Sequence, residues 1–186
     1  NLAETVTDWQ TTDDAGIETI VDGICDRLDE GLLAGQYKED GREQLNAETM
    51  RENAKGAARA IAQQMRKGEF KLKQAEMPFK YTHKLPTGES VQVEGIIDRV
   101  DEYERDGRSY FRIIDYKSGS KSFDYSELYY GMSIQLPLYA AAVQEAMGSA
   151  PAGMFIMHIR EGVSDLSKGD IDIQRLRAHK LNGLVL

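Results

Sequence analysis

Asp98, Asp115 and Lys117 have the side-chain types and the spacing to hold a divalent cation beside a reacting phosphate. Between the runs that carry them lies Asp106-Gly107, a dipeptide that favours a two-residue type I′ hairpin turn. That turn sets Arg105 against Arg108, and the same register places Asp98 opposite Asp115, Val100 opposite Ile113, Asp101 opposite Arg112 and Tyr103 opposite Tyr110. Side-chain alternation then gathers Ile96, Asp98, Val100, Phe111, Ile113, Asp115 and Lys117 on one largely apolar face. Arg99, Asp101, Tyr103 and Arg112 occupy the other face, expected to be solvated, with Asp101 and Arg112 neutralising each other at the surface. Two carboxylates with Cβ atoms ~5 Å apart on an apolar face repel one another and lose hydration. A bridging divalent cation supplies the missing charge, and carboxylate oxygens are the hard ligands that Mg²⁺ and Mn²⁺ prefer. Lys117 shares that face and can hold a water or stabilise negative charge developing on a phosphate. The competing reading is a structural sheet in which Asp98 pairs with Lys117 and Asp115 is hydrated at the strand end.

The elements that position these residues can be read from periodicity. Ile17, Ile20, Val21, Ile24, Leu28 and Leu32 recur at helical spacing over about 13–33, behind the capping candidates Thr12 and Asp13. A polar stretch from Gly35 leads to Asn46, a cap for a second helix reaching about Lys67 and closed by Gly68. Lys55, Arg59, Arg66 and Lys67 give this helix a basic face, ordinarily a solvated one. Three strands follow, over about 70–81, 90–103 and 109–117, joined by Pro86-Thr87-Gly88 and Asp106-Gly107. A helix beginning near Ser133 tolerates Pro137 in its first turn and stops at Gly148. A strand over about 153–160 and a helix over about 171–180 complete the order.

Composition bounds the function. The chain has 186 residues, 41% of them hydrophobic, a size suited to one compact domain with its own core. No apolar run approaches the ~18 to 20 residues of a membrane helix, and no basic-then-apolar leader opens the chain, which reads as cytoplasmic. The single cysteine, Cys25, can form no internal disulfide and reads as a small apolar helix residue. Lys and Arg number 23 against 31 Asp and Glu, so the net charge of −8 excludes binding of nucleic acid by bulk attraction. Any such contact must be local or metal-mediated. The chain opens on Asn1 and ends on the apolar run Leu184-Val185-Leu186, which reads as wanting more protein to pack against, so a fragment of a larger protein is expected. On this reading 1–186 is a single domain with a helical part over 1–68, a core over 69–161 and a C-terminal extension over 162–186.

Gly95-Ile96-Ile97-Asp98-Arg99-Val100-Asp101 followed by Ile113-Ile114-Asp115-Tyr116-Lys117-Ser118-Gly119 resembles the nuclease core of RecB-type members of the PD-(D/E)XK superfamily. Gln135-Leu136-Pro137-Leu138-Tyr139 matches that group's Gln-x-x-x-Tyr motif, and Glu76 in Gln74-Ala75-Glu76-Met77-Pro78-Phe79 is similar to its acidic position before a Pro-Phe strand. The run from Lys180 to Leu186 is most similar to the C-terminal nuclease region of the AddB/RexB family of bacterial ATP-dependent helicase–nuclease subunits. The resemblance implies a restriction-endonuclease-like αβββαβ core around a mixed sheet flanked by helices. It implies Mg²⁺- or Mn²⁺-dependent exonucleolytic hydrolysis of DNA in double-strand break repair and recombination, with a helicase–nuclease partner subunit. Asp98 and Asp115 would hold the metal, joined by the Tyr116 backbone carbonyl and by Glu76 as an outer or direct ligand. Lys117 would be the catalytic lysine, and Gln135 and Tyr139 would position DNA or a ligand water. The chain departs from the family in two ways. The upstream helical histidine is missing, since His83, His158 and His179 lie elsewhere, His83 reading as a surface residue. The cysteines of an iron–sulfur cluster are missing too, so a cluster belongs only to a longer protein. A non-catalytic DNA-guiding or subunit-docking module of the same fold, and a free-standing RecB-like exonuclease, are the alternatives.

Overall fold

A computed structural model describes residues 8–31, 41–160, 174 and 177–186. Its elements run α1 (Asp14–Gly31), α2 (Gly41–Lys67), β1 (Lys71–Lys84), β2 (Ser90–Arg105), β3 (Arg108–Lys117), α3 (Tyr125–Tyr129), α4 (Gln135–Met147), β4 (Ala150–His158) and β5 (Asn182–Val185). They form two compact units, one of residues 1–68 with 158–180 and the other of 69–157 with 181–186.

In the first unit Asp13 caps α1 by accepting from the Gly16 amide at 2.8 Å, as its position before the apolar repeat predicts. Leu32 and Leu33 lie outside the described residues. Helix α2 begins at Gly41, so Asn46 sits inside the helix rather than capping it. Arg42, Glu43, Gln44 and Leu45 are all good helix formers, which extends the helix toward its N-terminus past a residue that would otherwise cap it. Ile17 and Val21 of α1 are buried, as are Ala57, Ala58, Ala60, Ile61, Ala62 and Met65 of α2. The basic face of α2 is not simply solvated. Arg51 reaches Asp22, Asp26 and Asp29, Lys55 reaches Asp22 at 2.9 Å, and Arg59 and Arg66 pair with Glu18 and Asp14. These charges are occupied by the acids of α1. Of the expected final helix, Gln174, Arg177 and Ala178 are helical, and most of its other residues lie outside the described set.

The second unit is a five-stranded sheet in the order β1-β2-β3-β4-β5. The pairs β1–β2, β2–β3 and β4–β5 are antiparallel, and the helical crossover from β3 to β4 makes the sheet mixed. Asp106 and Gly107 have φ of 52° and 73°, the two left-handed residues a type I′ turn requires. Pro137 falls in the first turn of α4, and Gly148 ends that helix at φ 68°. Helix α4 packs on the sheet through Leu136, Ala140 and Val143, which join Ile97, Val100, Phe111 and Ile113 of the hairpin and Met154 and Ile156 of β4 in one buried cluster. Ile96, expected on the apolar face, is 58% exposed. The terminal apolar run is also partnered: β5 pairs with β4, Leu184 against Met154, and Leu184 packs on the core. Gly183 permits the approach, since a Cβ there would stand 2.1 Å from the Met154 carbonyl oxygen. Helix α3 was not anticipated, although Asp124-x-x-Glu127 has the capping-box pattern and the Asp124 carboxylate does accept from the Ser126 and Glu127 amides.

Candidate metal centre

The β2–β3 pairs run from Arg105 with Arg108 to Arg99 with Ile114, the register set by the Asp106-Gly107 turn. One step further stand Asp98 and Asp115, where the ladder opens and the Asp98 carboxylate takes the place of a backbone acceptor, receiving the Tyr116 amide at 2.7 Å. On the other side, β1 pairs Ala75 with Arg99 and Met77 with Ile97, which brackets Glu76 opposite Asp98. Glu76 has φ 49°, a left-handed conformation that costs a non-glycine residue of order 1–3 kcal/mol and is common at functional sites. Glu76, Asp98 and Asp115 therefore lie in one row across three neighbouring strands.

Lys117, two residues beyond Asp115 on the same face, brings its Nζ to 2.7 Å from Asp115 Oδ2. This buried oxygen is thus held by an ion pair with the ammonium. Gln135, the first residue of α4, completes the group. Its Nε2 donates to Asp115 Oδ1 at 3.1 Å and to the Tyr139 hydroxyl at 2.8 Å, and its Oε1 accepts from Lys117 Nζ at 3.3 Å. The four-residue spacing of Gln135 and Tyr139 puts them on one helical face, as their sequence positions require. Tyr139 is fixed in turn by an edge-to-face contact with Phe79, centroids 5.2 Å apart. Gln135 thus holds the acid and the lysine by opposite ends of one amide.

Burial raises the Asp98 carboxyl above the ordinary carboxylate range; the Tyr116 amide and Lys117 oppose the shift, while the charges of Asp115 and Glu76 add to it. An acid that burial makes costly to ionise, beside a second, buried aspartate, fits a divalent cation that prefers charged oxygens. Among the described residues no three His, Cys, Asp or Glu side chains form a ready-made cage. Asp98 and Asp115 would supply two carboxylates and leave the rest of the shell to water, the usual arrangement for Mg²⁺.

Comparison with known proteins now decides the family. The profile of the PD-(D/E)XK nuclease superfamily matches residues 2–180. The chain belongs to that superfamily. It is 30% identical over 194 aligned residues to the B subunit of the ATP-dependent helicase/deoxyribonuclease of Caldanaerobacter subterraneus subsp. tengcongensis, covering 96% of this chain and 17% of that protein. Identity is 31% to the counterpart from Clostridioides difficile, again over 96% of this chain and 17% of that protein, and 36% over 145 residues to the one from Clostridium acetobutylicum, covering 74% of this chain and 13% of that protein. The chain thus spans less than a fifth of the length of these relatives. As a PD-(D/E)XK nuclease domain it belongs to a superfamily whose members generally use divalent metal ions. Among the described residues no helix is long and apolar enough to cross a membrane.

The opposite face of this nuclease hairpin corrects the sequence reading. Arg99, Asp101 and Arg112 are not solvated: Asp101 is 0% exposed and Arg99 3%. Arg99 Nε and Nη2 each lie 2.7 Å from an Asp101 oxygen, and Arg112 Nε lies 2.8 Å from Oδ2. Tyr116 turns its ring to this face, its hydroxyl 3.5 Å from Arg99 Nη1, and burial pushes its ionisation up. Alternation fixes which residues share a face; it does not reveal what covers that face. His83 is exposed, stacked near Tyr81, whereas His179 is buried with Nδ1 2.7 Å from the His158 carbonyl oxygen.

Proposed function

We propose that this chain hydrolyses phosphodiester bonds in DNA, as the exonuclease module of a helicase–nuclease acting in double-strand break repair and recombination alongside a partner subunit. The observation that carries the reading is the gathering of Asp98, Asp115 and Lys117 at the open end of the hairpin, with two acids served by one ammonium that lies 2.7 Å from Asp115 Oδ2. Asp98 and Asp115 would hold Mg²⁺ or Mn²⁺, with the Tyr116 backbone carbonyl and Glu76 as further direct or water-bridged ligands. The ion, when bound, supplies Lewis acidity to a phosphoryl oxygen and lowers the pKa of an attacking water. Lys117, a compact ammonium beside Asp115, would orient an attacking water or meet the charge developing on the phosphate. Gln135 keeps Asp115 and Lys117 in mutual register, and Tyr139 fixes Gln135.

The test is cleavage of linear DNA in Mg²⁺ or Mn²⁺ by the wild-type chain and by Asp115→Ala and Lys117→Ala. Each substitution is expected to lower the rate by at least ~10²-fold, the scale seen when one group that stabilises a transition state is removed. Equal rates in all three proteins sink the proposal and leave a non-catalytic module of the same fold.

A further inference from the structure

Both carboxylate oxygens of the buried Asp115 are engaged by neighbouring side chains. Oδ1 accepts from Gln135 Nε2 at 3.1 Å, and Oδ2 faces Lys117 Nζ at 2.7 Å. Oδ2 itself is shut off from solvent, whereas the lysine side chain is 28% exposed. An ion that bonds Oδ2 at the ~2.1 Å of Mg²⁺ therefore takes the place where Nζ stands. The fold also gives the ammonium somewhere to go. Gln135 Oε1 accepts from the same Nζ at 3.3 Å, a longer contact with an uncharged partner. The Gln135 amide is anchored apart from the lysine, through Nε2 on Asp115 and on the Tyr139 hydroxyl at 2.8 Å. Lysine suits a hand-over, because a compact charge with three donors on a flexible stem can drop one partner and keep another.

We propose that Lys117 is an internal stand-in for the divalent cation: its ammonium closes Asp115 Oδ2 and passes onto Gln135 Oε1 when an ion takes that oxygen. The proposal rests on the nuclease reading above and adds a regulation of that same site. One cation is exchanged for another, so the buried acid is at no point left unpaired, a condition that costs several kcal/mol in protein interiors. The exchange also ties the two halves of the chemistry together. Lys117 stays sequestered on the acid until the ion binds, and the same event frees its charge for a phosphate.

The test is Mn²⁺ binding to the intact 186-residue chain, followed by the spin resonance of the free ion with no DNA present. Lys117→Met removes the stand-in and is expected to bind Mn²⁺ about fivefold more tightly than wild type, since an ion pair no longer has to be broken. Gln135→Ala is expected to weaken binding at least ~3-fold more in the wild-type background than in the Lys117→Met background, because only a displaced ammonium needs Oε1. Affinity no tighter than wild type in Lys117→Met overturns the stand-in. So does a Gln135→Ala effect of equal size in both backgrounds, which leaves Lys117 repelling the ion without passing to the amide. Cleavage of linear DNA is read in parallel. A wild-type chain that cleaves while the two substitutions show no coupling refutes the stand-in alone, and one that shows the coupling yet cleaves nothing refutes the nuclease reading alone.

Discussion

The two faces of the β2–β3 hairpin treat charge in opposite ways. On one, Asp101 is wholly buried between Arg99 and Arg112, and although burial is the strongest influence and acts to neutralise Arg99, Asp101 holds that guanidinium above its ordinary pKa. On the other, Asp98 and Asp115 stand as like charges, Lys117 pairs with Asp115 at 2.7 Å, and burial makes Asp98 harder to ionise. Both faces grow from the same strands, one register and one turn. The first face sets one buried acid against two guanidiniums, whereas the second sets two acids against one ammonium, a shortage of positive charge that a divalent cation would make good. On the reading proposed above, that shortage marks the face on which a metal would sit.

The largest expected effect comes from the satisfied face. Asp101→Ala leaves two buried guanidiniums without their counter-ion and is expected to cost about 3–5 kcal/mol in urea unfolding. Replacing Arg99, Asp101 and Arg112 together by apolar residues of similar volume is expected to be near neutral. A mild Asp101→Ala, within ~1 kcal/mol of wild type, breaks the contrast between the faces, because the triad would then be a surface network after all.

The hairpin itself was legible in advance because Asp106-Gly107 dictates a turn whose geometry fixes every pair beyond it, and the helix of Gln135 and Tyr139 followed from spacing and from Gly148. Burial of the Arg99 face was not legible, since three charged residues in alternation read as solvent-facing unless something distant covers them. Strand β5 is four residues long and depends on Gly183 lying against the Met154 carbonyl, a contact that only three dimensions reveal. The left-handed turn of the backbone at Glu76 had no signal, because nothing in Gln74-Ala75-Glu76-Met77 favours it. The capping pattern at Asp124 was a signal, and it went unused.

On the deficient face, a divalent cation should replace what the fold leaves out. Adding Mg²⁺ or Mn²⁺ at about a hundred times its dissociation constant is expected to stabilise the wild-type chain by ~2.7 kcal/mol in thermal unfolding. Asp98→Asn and Asp115→Asn should lose most of that response, while Asp101-face variants that still fold should keep it. A wild-type melting curve indifferent to both metals removes the ligand from the comparison.

The smallest effect carries the opposite sign to the first. Without metal, Asp98→Asn removes one of two opposed acids while an amide oxygen still accepts the Tyr116 amide, so the variant is expected to be more stable than wild type at pH 7.5 by about 0.2–1 kcal/mol, the scale of a cross-strand pair. The pH dependence follows from burial, which raises the Asp98 pKa in the folded chain. The folded state then holds the proton more tightly than the unfolded state, so the contribution of Asp98 to stability is fully present below its unfolded pKa of ~3.9 and is lost as pH rises through the folded value. Asparagine mimics the protonated side chain at every pH. The advantage of the variant should therefore close toward zero as the pH falls below about 4, and paired urea titrations across that range check it. A gap that stays constant with pH, or a variant less stable than wild type at pH 7.5, means that Asp98 ionises at no cost and that the two faces do not differ in the way described.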